Sequence, residues 1–97
     1  MSDEFIAQTG TFSTPYASRY LQQLCKHFAH KVEAEHTPEQ GTAALPPGRA
    51  DMTATPDILR ITVRGRDPQA LEQARHIIDS HLVRFAHREG FKTMTWS

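Results

Sequence analysis

Ninety-seven residues with a formal net charge of zero at neutral pH describe one small domain, and they exclude bulk attraction to nucleic acid or an anionic membrane. One cysteine rules out an internal disulfide and fits a reducing compartment, while six histidines add positive charge at mildly acidic pH. The start, Met1-Ser2-Asp3-Glu4-Phe5, is acidic where a secretory leader would be basic, and no apolar run nears the roughly 20 residues of a membrane span. A soluble cytoplasmic protein is expected.

In chain order, residues 1–4 read as a disordered tail ahead of a strand over 5–12, with Gly10 as a candidate irregularity. Ser13 or Thr14 then caps a helix over 15–32 that opens with Pro15. Ala17, Tyr20, Leu21, Leu24, Cys25, Phe28 and Val32 recur at helical spacing and define its buried face. Residues 32–36 alternate as a short strand, and Thr37-Pro38-Glu39-Gln40-Gly41 is a turn. Two weak strands, 42–45 and 50–54, flank a reverse turn at Pro46-Pro47-Gly48-Arg49.

The strand over 58–64 is the clearest, with Leu59, Ile61 and Val63 pointing inward. A second helix is marked by Asp67 as cap, Pro68 as first residue and Gly90 as a left-handed stop. Its apolar stripe is Ala70, Leu71, Ala74, Ile77, Ile78, Leu82 and Phe85, while Glu72, Arg75 and Asp79 are expected to form exposed ion pairs. Residues 91–96 alternate as a last strand ending at Trp96.

The order β-α-β-β-β-β-α-β over a single domain, residues 1–97, predicts an α+β two-layer sandwich. Two helices, each with one apolar face, would cover one face of a mainly antiparallel sheet of five or six strands.

The chemistry is concentrated in the helices. The stretch 15–32 has no acidic residue but carries Arg19, Lys26, Lys31, His27, His30 and Cys25, and the second helix carries His81, Arg84 and Arg88. Thr14-Pro15, Arg19-Tyr20-Leu21, Leu24-Cys25-Lys26-His27, His30-Lys31, His81-Leu82, Arg84-Phe85-Ala86, Arg88-Glu89 and Trp96 together resemble bacterial domain-of-unknown-function family 2218, over about residues 6–97. The resemblance implies a small cytoplasmic α+β protein with no assigned reaction, some relatives being encoded beside siderophore and iron-uptake genes. The family pattern often has larger apolar residues where this chain has Ala43 and Ala44, so a less well packed first hairpin is expected.

His81 falls in the apolar arc and needs a partner, for which Tyr20, Cys25 or Glu33 are candidates. A satisfied core histidine is the plain reading, and a ligand-binding or proton-transferring imidazole is the functional one. His27 and His30, one turn apart, can share a metal ion or simply place cations at a helix C-terminus. Cys25, on the buried side, is expected to be an inert thiol despite Lys26 and Arg19 nearby. If the helices dock lengthwise, Arg19, Lys26, Arg84 and Arg88 form a patch for phosphate or carboxylate.

The preferred reading is a binding or accessory protein for an anionic small molecule or metal chelate, linked to iron or siderophore handling. Its site residues are Arg19, Tyr20, Lys26, His27, His81, Arg84 and Arg88, with His27 and His30 as metal ligands. One alternative is an enzyme with His81 as general acid–base. Another is a structural or interaction module, for which a homodimer would be natural. The sequence names no cofactor, and neither a membrane nor a nucleic acid is expected as partner.

Overall fold

The computed structural model describes residues 5–97; the tail expected at residues 1–4 lies outside them. Strands β1 (Ile6–Ser13), β2 (Ala34–His36), β3 (Gln40–Leu45), β4 (Gly48–Ala54), β5 (Ile58–Gly65) and β6 (Thr95–Trp96) accompany helices α1 (Ala17–Phe28) and α2 (Pro68–Ala86). The strands form one sheet in the order β2-β3-β4-β5-β1-β6, and every pairing is antiparallel. The α+β architecture and its element order are those read from the sequence.

Strand β5 anchors the sheet because branched side chains alternate along it. Leu59, Ile61 and Val63 are fully buried, each contributing about 1.5–3 kcal/mol of apolar burial. Register carries the same face across the sheet: Phe12 pairs with Leu59, Gly10 with Ile61, and Met52 with Ile61 from the other side. Both helices cover this face, α1 over β2–β5 and α2 over β5 and β1. The other face bears no helix among the described residues and is polar, with Thr9 bonded to Thr62 at 2.9 Å and Asp51 paired to Arg49 and Arg64.

Helix α2 starts as its sequence dictates, with the Asp67 carboxylate accepting from the Ala70 N–H at 2.8 Å. It ends in a 3-10 turn, His87–Glu89, before Gly90 takes the left-handed conformation. Helix α1 is shorter than expected. Thr14 does not cap it directly; its hydroxyl accepts from the Tyr16 N–H at 3.1 Å, and the helix begins at Ala17. The chain leaves it after Phe28 through successive turns, where the Lys31 and Val32 amides bond the Phe28 carbonyl at 2.9 Å.

Several local expectations need correction. Gly10 is no irregularity: it pairs regularly with Ile61 and Trp96, and a Cβ there would stand 2.9 Å from the Trp96 ring. The first hairpin is close-packed, because Ala43 is fully buried and a Cβ on Gly41 would meet Cys25 Sγ at 2.6 Å. Small side chains let α1 come down onto β3 instead of leaving a gap. The last strand is only Thr95–Trp96, the preceding segment being irregular.

Asp79 does not pair with Arg75. Its carboxylate accepts from Thr93 Oγ1 at 2.7 Å, the Met94 N–H at 3.0 Å and Trp96 Nε1 at 2.9 Å. Three donors from one segment outcompete a solvent-screened arginine, and they clamp the chain's end onto α2.

Candidate functional site

The two helices run antiparallel, as two cross-links fix: Tyr20 meets Glu89 near one end and His27 meets His81 near the other. Between them lies a seam. Its contacts are made by Tyr20, His27 and Phe28 on α1 and by His81, Phe85 and, beyond α2, Glu89. Arg84 acts on His27, and Arg19, Lys26 and Arg88 are exposed on the same elements.

At one end the Tyr20 phenol donates to the Glu89 carboxylate, which also accepts from Thr14 Oγ1 at 3.0 Å to each oxygen. Burial is the main cause, with the Glu89 bond adding to it, of a Tyr20 pKa pushed up to about 12. Tyr20 is only 5% exposed, so the phenol expected to touch ligand is committed to holding the helices together. Arg19 lies over the exposed Tyr16 ring, 5.2 Å from its centroid.

At the other end the His27 and His81 rings lie 4.8 Å apart at 55°. Phe28 stands edge-on to His81 at 5.1 Å, and Phe85 to His27 at 6.3 Å. His81 Nδ1 is 2.7 Å from the Ile77 carbonyl oxygen. That oxygen only accepts, so Nδ1 donates, and in the neutral ring the lone pair sits on Nε2. The partner is thus the preceding turn of its own helix and not Tyr20, Cys25 or Glu33. A helix packed on a narrow seam leaves His81 half-buried, not enclosed in the core.

His27 has its pKa lowered, most by partial burial, then by His81 and Arg84, with His30 and Lys31 adding. Positive groups therefore crowd this imidazole. Lys26 is exposed beside it, and His30 is exposed in the turn beyond α1. The ring that meets His27 belongs to His81 on the other helix. No group of three or more His, Cys, Asp or Glu side chains suited to a metal occurs among the described residues.

Cys25 sits on the sheet-facing side of α1, 3.9 Å from Met52 Sδ, and burial pushes its thiol up to about 11. Burial of this kind disfavours the nucleophilic thiolate at neutral pH. Sequence reasoning missed Thr14, Glu89 and Asp79 as organisers of the helix layer. The adjacency of Glu89 to the Gly90 stop was a signal that it sits at a helix end; nothing local linked it to Tyr20.

A small antiparallel sheet covered on one face by a basic helix pair defines the class: an α+β domain with a surface seam. The family model described as "Uncharacterized protein conserved in bacteria (DUF2218)" matches residues 9–97, and the chain belongs to that family. It is similar over 94% of both chains to the NMR structure of PA4090 from Pseudomonas aeruginosa, with 31% identity and a TM-score of 0.77. Among curated proteins none matches the chain. No described helix is long and apolar enough to cross a membrane.

Proposed function

We propose that the protein is a small cytoplasmic binding module whose helix seam takes an anionic small molecule, foremost a metal-bearing chelate. The observation that carries this reading is an imbalance of charge. Glu89, the acid at the seam's end, is occupied by the Thr14 and Tyr20 hydroxyls, and both ion pairs among the described residues belong to Asp51 in the sheet. Arg19, Lys26, Arg84 and Arg88 thus have no salt-bridge partner among the described residues. Arg84 acting beside the two imidazoles, with unpaired Arg19, Lys26 and Arg88 on the same helical layer, suits phosphate, carboxylate or an anionic complex.

The surface form of the site favours binding over catalysis. The principal hollows lie elsewhere, over β2–β4 around Glu35, Arg49 and Asp51, and beside Pro46, Gln69 and His76. General acid–base chemistry at His81 would gain from a cleft that excludes water, and His81 lines none of these hollows. The gene neighbourhood implied by the family resemblance makes a ferric siderophore and haem the first chelates to try.

The test is a backbone and imidazole NMR titration with inorganic phosphate, a ferric siderophore and haem in turn. Shifts grouped on residues 19–27 and 81–88 support the reading. If no probe moves those signals at millimolar concentration, the reading fails.

A further inference from the structure

The seam's two imidazoles have the spacing of ligands on one metal ion. A transition-metal–imidazole bond of about 2.0–2.1 Å puts each ring centre roughly 3.2 Å from the ion. Two rings bound at angles between about 90° and the tetrahedral value then have centres roughly 4.5–5.2 Å apart. His27 and His81 stand 4.8 Å apart with their planes tilted by 55°, a separation inside that range.

The surroundings fit the same role. The Ile77 carbonyl accepts a hydrogen bond from His81 Nδ1–H, the kind of backbone bond that fixes the tautomer and orientation of a liganding histidine. Phe28 and Phe85 flank the rings edge-on and limit their rotation. Imidazole pairs suit zinc, copper and nickel among the common divalent ions.

Two features decide what form the metal takes. No third histidine, cysteine or carboxylate completes a cluster among the described residues, so the remaining coordination positions need ligands from outside the chain. Arg84 lies one turn beyond His81 on α2, next to the Phe85 that touches His27, and its positive charge opposes a bare cation while favouring a metal carrying negative ligands.

We infer that His27 and His81 are two adjacent inner-sphere ligands for a divalent transition-metal ion, delivered as an anionic chelate with two neighbouring open positions. This rests on the helix seam being the binding site and adds the atoms that touch the metal. A chelate already saturated by its own ligands would gain only the cations.

Nickel(II) nitrilotriacetate is the direct probe, since it is anionic and leaves two adjacent sites vacant. It is titrated into untagged, isotope-labelled protein while paramagnetic broadening is followed. The expected result is 1:1 binding, with His27, His81, Phe28 and Phe85 broadening first. His27→Gln and His81→Gln should each weaken binding by at least the roughly 10–100-fold that loss of a second-shell partner costs, whereas His76→Gln should not. Preserved amide dispersion in His27→Gln excludes misfolding as the cause.

Broadening centred on the exposed His30, His76 or His87, or equal affinity in His27→Gln, overturns the inference. A parallel arm with inorganic phosphate separates the two ideas. Phosphate shifts at Arg84 without nickel binding leave an anion seam that does not coordinate metal; silence in both arms ends both.

Discussion

Tyr20 and Glu89, 69 positions apart in the chain, share a hydrogen bond that ties the first turn of α1 to the 3-10 turn beyond α2. The phenol is almost wholly buried, and the carboxylate is held in place by Thr14 as well. This latch sets the antiparallel alignment that brings His27 to His81 at the other end of the seam. Tyr20→Phe removes a charge-assisted bond and should cost about 1.5–3 kcal/mol in chemical denaturation. Wild-type stability in Tyr20→Phe would mean the latch is dispensable.

The same residue gives a pH signature. Tyr20 ionises near its ordinary value of 10.0 when unfolded but at about 12 in the fold. Its contribution is therefore fully present below pH 10 and is lost as pH rises toward 12, because the unfolded chain releases the proton first. Absorbance titration should resolve a late tyrosine step, absent from Tyr20→Phe. A single step at the ordinary value contradicts it.

The start of α2 and the central strand were legible because their signals are local. Asp67-Pro68 can only begin a helix productively, and the alternation of Leu59, Ile61 and Val63 suits a sheet with one covered face. The seam was half-legible: helical spacing put His81 on the apolar arc, but the depth of burial depended on where α1 docks. What stayed hidden was chosen in three dimensions. Asp79 had a charged neighbour on its own helix and instead took three donors from residues 93–96. Gly41 likewise looked like a turn residue, when its role is to admit Cys25 Sγ from above.

Asp79→Ala strands those donors and should cost about 2–3 kcal/mol, with the chain's end loosening before the sheet. Faster hydrogen exchange at the Met94 and Ser97 amides and a red-shifted Trp96 emission are the expected readouts. Unchanged exchange there would show that β6 is held by its pairing to β1 alone.

Gly41→Ala should destabilise by roughly 1–3 kcal/mol, since the added methyl meets a buried sulfur that has no room to move. Adding Cys25→Ala should relieve part of that cost, giving a favourable coupling in a double-mutant cycle. Strictly additive effects would place the strain elsewhere.

With its thiol raised to about 11, Cys25 should resist alkylation at neutral pH in native protein and react promptly in denaturant. Rapid native labelling would contradict its burial between α1 and the sheet.

Binding at the seam depends on the two imidazoles touching across the helices, and cross-relaxation between their ring protons tests this without any ligand. A nuclear Overhauser spectrum should connect the His27 ring to those of His81 and Phe85. If His27 instead shows contacts only along α1, the helices do not meet as described, and neither the anion seam nor the metal pair survives.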